Sequence, residues 1–320
     1  MDMQYTTLGR TGLKVSVAGL GCGGFSKLGL GKGKSEAEAI TLVRKALDLG
    51  INLLDTASVY GTEAAVGKGI KGYSRDKVVI STKAKPSNAS KLIPVADVIG
   101  SLDKSLRQLN VDYVDILHLH GVLPRHYDVI YDGYVPALLK ERDKGKFRFL
   151  GVTETPHHDP MQEMVSRALQ DEVWDVMMIG FHMLNQTPRK RILPSIIRKN
   201  IGTLIMYAVR NLFSVPGRLH EEILGQIAAG KLPAAMADDK DPLSFLRHKA
   251  GAESLIDAAY RYVRHEPGCH VVLFGTSDEK HMEANVASLL RPPLPEADRE
   301  RLAKVFGHLE GVGFDLPGRV

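Results

Sequence analysis

Ser35-Glu36-Ala37-Glu38-Ala39-Ile40-Thr41-Leu42-Val43-Arg44-Lys45-Ala46-Leu47-Asp48-Leu49, then Gly50, then Ile51-Asn52-Leu53-Leu54-Asp55, is the stretch that decides the fold. Ser35 stands where an N-cap belongs, Glu38 three residues on suits a capping box, and Ile40, Val43, Ala46 and Leu47 share one apolar face. These features predict a helix over 35–49. The apolar run after Gly50 reads as a buried strand ending on a carboxylate, and a similar run, Val17–Gly21, precedes the helix. Strand, helix and strand in that order make a βαβ unit.

The alternation continues along the chain. Strands are expected at Val17–Gly21, Ile51–Asp55, Val78–Thr82, Val114–Leu119, Phe149–Val152, Val176–Ile179, Thr203–Met206 and Val271–Phe274. Helices are expected at Ser35–Leu49, Glu63–Lys71, Lys91–Leu109, Val129–Lys144, Pro160–Leu169, Arg189–Lys199, Gly251–Arg264 and Asp278–Leu289. Eight strands, each followed by a helix, predict a closed (β/α)8 TIM barrel, because right-handed crossovers place every helix outside; an open doubly wound sheet is the rival. Leu8-Gly9-Arg10-Thr11-Gly12 signals an N-terminal β-hairpin, and an extra C-terminal helix is expected near Glu296–His308. The long segment Arg210–Ala250 carries Leu219, Ile223, Leu224 and Ile227 at helical spacing, so it contains a packed helix and reads as a lid or as a plain insertion. No linker-like composition divides the chain, so residues 1–320 read as a single domain.

Composition narrows the function. The 42 basic and 37 acidic residues leave a formal charge of +5 without a basic block, which suits phosphate-bearing ligands and argues against nucleic acid as partner. The N-terminus has no long apolar run and no stretch approaches a membrane span, so a cytoplasmic protein acting on a small molecule is expected. Cys22 and Cys269 lack a CxxC partner, which argues against a zinc site or a disulfide framework. Oligomeric state leaves no trace in the sequence.

Strand residues alternate sides, so Leu53 and Asp55 share a face, as do Ser81 and Lys83, and His118 and His120. In a barrel, polar residues at the C-terminal ends of strands converge on one mouth. Asp55, Lys83 and His120 therefore meet there, joined by Tyr60 from the loop after strand two. Each alone has a plain reading: a helix cap, a solvated strand end, a core histidine, a wall. Together, Asp55-Thr56-Ala57-Ser58-Val59-Tyr60-Gly61, Ile80-Ser81-Thr82-Lys83 and Asp112-Tyr113-Val114-Asp115-Ile116-Leu117-His118-Leu119-His120 resemble the aldo-keto reductase family. Gly145-Lys146-Phe147-Arg148-Phe149-Leu150-Gly151-Val152 and Gly275-Thr276-Ser277 with Asn285 extend the resemblance over essentially the whole chain.

The resemblance implies an NAD(P)H-dependent carbonyl reductase or alcohol dehydrogenase with Asp55, Tyr60, Lys83 and His120 as its catalytic tetrad. The chemistry suits those residue types. Hydride arriving at a carbonyl carbon puts charge on its oxygen, so a donor able to give up a proton is needed. Tyr60 fills that role, the Lys83 ammonium would lower the phenol's pKa, Asp55 would hold Lys83, and a neutral His120 would orient the carbonyl oxygen.

By the same resemblance, cofactor contacts are expected from Gly23, Gly24 and Phe25 after strand one, from Asp55, and from Thr153, Glu154 and Met178 near the nicotinamide carboxamide. Tyr207, Arg210 and Asn211 after strand seven, and Gly275, Thr276, Ser277, His281 and Asn285 at the eighth strand and its helix, complete the set. Gly19-Leu20-Gly21-Cys22-Gly23-Gly24 is no dinucleotide fingerprint, because loop rather than helix follows it, and Gly29–Ser35 lacks the phosphate-loop spacing. The helix start after Thr276 favours an anion, and the resemblance places the adenosine 2′-phosphate or ribose there, so NADP(H) is expected ahead of NAD(H). Thr153-Glu154 and Met178 replace the Ser-Asn and Gln that the family usually uses to hold the carboxamide. Two alternatives remain open: a cofactor-binding regulatory or interaction protein with little turnover, and a metal-dependent barrel hydrolase built on His118 and His120. The second would need further ligands at strand ends that are mostly apolar here, so no metal site is assigned.

Overall fold

The capping box at Ser35 forms as expected: Glu38 N donates to Ser35 Oγ at 3.3 Å, Ser35 N donates to Glu38 Oε2 at 2.8 Å, and the helix runs Glu36–Asp48. The computed structural model describes residues 2–88 and 91–314, so the ends of the expected 1–320 domain lie outside the described residues. Its central sheet has the strands β1 Ala18–Gly21, β2 Leu53–Asp55, β3 Val79–Ala84, β4 Val114–Leu119, β5 Phe147–Thr153, β6 Val176–Gly180, β7 Gly202–Met206 and β8 Val271–Phe274. All neighbours are parallel and β8 pairs with β1, which closes the barrel and excludes the open sheet.

Alternation sorts the side chains. Leu53, Val79, Ile116, Val176, Met178, Leu204 and Val271 fill the barrel interior, while their neighbours Leu54, Ile80, Leu117, Met177, Ile205 and Val272 join the core beneath the helices. The hairpin Tyr5–Thr7 with Lys14–Ser16 supplies Leu8, Leu13 and Val15 to that interior cluster, so it plugs the floor. Each such aliphatic side chain contributes roughly 1.5–3 kcal/mol of burial. Because the floor is sealed, polar side chains inside the barrel collect at the opposite end.

The structure moves several expected boundaries. The helix expected from Lys91 starts at Val95, because Pro94 stands at its N-cap and Ser87–Asn88 pairs with Lys91–Leu92 as a short hairpin. The helix expected over Arg189–Lys199 is two pieces, Thr187–Arg191 and Leu193–Lys199, since Pro194 has no amide proton to continue the first ladder. The helix expected from Gly251 begins at Leu255, where Ser254 accepts from Asp257 N. Gln162 in left-handed geometry delays the helix expected from Pro160, which spans Glu163–Ala168. The segment after β7 holds helices Arg210–Ser214 and Arg218–Ala228, and the last helix runs Glu296–Phe306. Among the described residues no helix is long and apolar enough to cross a membrane.

Asp115 ties three barrel strands together: its carboxylate accepts from Ile80 N at 2.9 Å, from Arg75 at 2.8 Å and from Arg148 at 2.9 Å. Asp115→Ala leaves a buried amide and two guanidinium groups without their acceptor. Urea unfolding is expected to show a loss of about 3 kcal/mol.

Candidate active site

Four side chains, one each from β2 and β3, His120 just past the end of β4, and one from a loop, meet at the C-terminal mouth. Asp55 ends β2 and Lys83 lies on β3, both facing inward and almost fully buried. Lys83 Nζ donates to Asp55 Oδ2 at 2.6 Å and to Thr56 O at 2.8 Å, and Ser81 Oγ donates to Asp55 Oδ1 at 2.8 Å. The Tyr60 hydroxyl lies 3.5 Å from His120 Nε2, with the two rings edge to face, and the Lys83 ammonium is 5.0 Å from the centre of the phenol ring. Gly23 makes this placement possible. A Cβ there would stand 2.4 Å from the Tyr60 ring, so only glycine lets the phenol lie against the loop after β1.

Electrostatics depart from the sequence expectation in one respect. Burial raises the Tyr60 pKa above its ordinary value; the Lys83 charge pulls it down but does not overcome burial, so the net direction is up rather than down. Burial, reinforced by Lys83 and Lys85, pushes His120 down to about 3, so its ring is neutral at neutral pH. Burial also lowers Lys83, yet the opposing charge of Asp55 and the contribution of Tyr60 outweigh it and the net direction is up. The site therefore presents a protonated phenol, a neutral imidazole and a charged ammonium.

His118 faces the same way as His120, paired in register with Lys83 and with Gly151, whose missing side chain makes room for the imidazole. Among the described residues no group of three His, Cys, Asp or Glu is arranged to hold a metal ion.

The expected cofactor contacts fall into three groups. Around the mouth, the Arg210 guanidinium stands 4.7 Å from the Phe25 ring and 4.5 Å from the Tyr207 ring, joining the loops after β1 and β7; Gly24 faces Arg210, and Asn211 follows in the helix Arg210–Ser214. Tyr207 and Arg210 both adopt positive φ, 70° and 49°, which is uncommon outside glycine. At the eighth strand, Thr276 Oγ1 accepts from Asp278 N, and Asp278 Oδ1 accepts from His281 N at 2.9 Å as the N-cap of Glu279–Leu290, the helix that carries Asn285. Lys34 Nζ reaches the Ser277 carbonyl at 2.8 Å. At β5 and β6, Thr153 Oγ1 accepts from Gly121 N, Met178 is buried in the interior cluster, and Glu154 follows Thr153 at the mouth.

Sequence reasoning missed three residues beside these. Gln162 donates to Glu154, and the Phe314 ring packs 5.3 Å from Tyr207 and 5.6 Å from His182. Gln162 falls inside the helix expected over Pro160–Leu169, but nothing in that pattern pairs it with Glu154, and Phe314 lies in no periodic segment. Glu154 Oε2, Thr155 Oγ1 and Gln162 Oε1 after β5 are buried polar atoms with no partner. The Phe25 and Tyr207 rings and the Arg210 guanidinium at the mouth fit a nicotinamide group and its pyrophosphate.

Known proteins share this architecture. The chain is 29% identical over 316 residues to an L-galactose dehydrogenase of Arabidopsis thaliana, covering 97% of this chain and 95% of that protein. It is 27% identical over 303 residues to the aldo-keto reductase YhdN of Bacillus subtilis, covering 88% and 87%. The holo form of the aldo-keto reductase AKR11C1 from Bacillus halodurans superposes with a TM-score of 0.73 at 23% identity, over 95% of this chain and 96% of that one. The sequence profile of the aldo/keto reductase family matches residues 19–306, and the chain belongs to that family of oxidoreductases.

Proposed function

We propose that the chain, acting as one catalytic domain in the cytoplasm, interconverts a small carbonyl compound and its alcohol with a nicotinamide cofactor, and that Tyr60 is the proton donor. The observation that carries this reading is the tetrad's geometry: a phenol 3.5 Å from the nitrogen of a neutral imidazole and 5.0 Å, ring centre to nitrogen, from a buried ammonium. When bound, the nicotinamide supplies hydride.

Everything else falls to the chain's own side chains. Tyr60, protonated because burial holds its pKa up, gives its proton to the oxygen of the carbonyl as charge develops there. The phenolate left behind is stabilised by the Lys83 ammonium, which Asp55 keeps charged and in place despite its burial. His120, neutral at the pH of the reaction, hydrogen-bonds the same oxygen without adding a competing charge. Phe25, Tyr207 and Phe314 supply apolar walls around the reacting group. One relative is named for L-galactose, so hydroxylated aldehydes head the substrate panel.

For the adenosine end we read a preference for NAD(H) over the NADP(H) expected from the sequence. The His281 amide that a 2′-phosphate would use already donates to the Asp278 carboxylate, whose pKa that bond holds below the usual range. A second anion there meets a negative charge. Lys34, from the loop after β1, is engaged by the Ser277 carbonyl and by Glu38.

Two measurements test these readings. Tyr60→Phe is expected to lower turnover of an aldehyde by a factor of about 100 or more while the cofactor dissociation constant stays within about twofold; unchanged turnover would remove Tyr60 from the mechanism. Fluorescence titration is expected to give NADH roughly tenfold tighter binding than NADPH, with Asp278→Ser, which keeps an N-cap hydroxyl, narrowing the gap.

A further inference from the structure

Lys85 is a cation at the mouth that the tetrad does not use. Lys83 faces the barrel interior and Ala84 packs into the core beneath the helices, so the next alternation returns Lys85 to the side of Lys83, at the rim. At a strand rise of roughly 3.3 Å per residue it stands about 7 Å further out along the chain. His120 N donates to Ala84 O at 2.9 Å, which holds the ends of β3 and β4 together and keeps Lys85 near the imidazole. The charge is felt there, since Lys83 and Lys85 are the two cations that push His120 down. Yet the Lys85 side chain is exposed, and among the described residues neither an ion pair nor a hydrogen bond engages it.

Its surroundings supply no anion. The segments after β2, β3 and β4, residues 56–62, 85–94 and 120–126, carry Lys85, Lys91 and Arg125 and not one Asp or Glu. Asp55 is held by Lys83 at 2.6 Å, Asp159 accepts from Glu163 N and Met164 N, and burial pushes Glu154 up to about 8, so that it is uncharged at neutral pH. The cofactor does not account for Lys85 either. The strands follow one another round the barrel from β1 to β8, which sets β3 diametrically across from β7. Phe25, Tyr207, Arg210 and Ser277, the groups read as cofactor contacts, follow β1, β7 and β8 on the far side of the mouth. The half beside β3 and β4 is left to the substrate.

We infer that Lys85 binds an anionic group of the substrate, a carboxylate or a phosphate, while Tyr60 and His120 hold the carbonyl oxygen, so that the compound reduced is an acidic aldehyde or ketone. The inference rests on the carbonyl-reductase reading above and narrows its substrate class. An ammonium at the rim offsets the fixed charge of such a substrate, which would otherwise oppose the negative charge developing on the carbonyl oxygen. Three rotatable donors on a long stem let Lys85 meet either kind of acid.

Matched aldehydes test this. 4-Carboxybenzaldehyde is compared with 4-carbamoylbenzaldehyde, which keeps its shape and removes its charge, and glyceraldehyde 3-phosphate with glyceraldehyde. For the wild type, kcat/KM of at least one acid is expected to exceed that of its neutral partner by about tenfold, through a lower KM, and the preference to shrink as salt is added. The pair with the larger ratio distinguishes carboxylate from phosphate. Lys85→Gln is expected to bring that ratio close to one. Because the ratio is taken within one protein, a general loss of activity cancels. Lys85→Arg is expected to keep the preference, as is Lys91→Gln, which removes an exposed charge from the same segment. Ratios near one in the wild type, a preference that survives Lys85→Gln, or an equal loss in Lys91→Gln overturns the Lys85 site and leaves the reductase reading intact. Absence of turnover with these aldehydes and with a broad panel of neutral and acidic carbonyl compounds overturns both.

Discussion

A buried ammonium must be paired, and the Lys83–Asp55 contact of 2.6 Å is the constraint on which the mouth of this barrel depends. Both groups are almost fully out of solvent, so neither stays charged without the other. Their pairing requires β2 and β3 to be in register, Asp55 opposite Ser81 and Lys83 two residues beyond. The register in turn depends on Leu53 and Val79 filling the interior beneath them. A slip by one residue would send the whole inward set to the helices. The geometry of the mouth and the apolar packing are thus fixed by one alternation.

That alternation is why so much of the fold was legible. Val114–Leu119 and Val271–Phe274 begin and end where the sequence places them, because buried parallel strands are short apolar runs bounded by polar or turn residues. Ser35 and Glu38 announced their helix by local chemistry alone. The misplaced boundaries share a different cause. Pro94 at a helix cap, Pro194 inside an apparent helix and the left-handed Gln162 decide where helices start, and only the last of them depends on tertiary contacts that no periodic pattern carries.

The candidate site divides in the same way. Asp55, Lys83 and His120 were readable because strand ends converge by geometry, and Tyr60 because its loop is short. The upward direction of the Tyr60 pKa was not readable, since it depends on how completely the phenol is buried. Arg210, Phe25 and Tyr207 were named from separate loops, but their stacking across the mouth required the folded chain. Phe314 lies outside any periodic segment and reaches Tyr207 only through tertiary packing, and Gln162, inside an expected helix, meets Glu154 in the same way. Glu154 was recognised as a departure, but the upward push that burial gives its pKa depends on the folded chain.

Hydride transfer itself is the central claim, and isotope transfer measures it without reference to rate. With NADH deuterated on both faces of C4 and a hydroxylated aldehyde as acceptor, mass spectrometry of the alcohol should find one deuterium on the former carbonyl carbon. Bound cofactor that delivers no deuterium to any member of a broad panel of aldehydes and ketones would contradict the account.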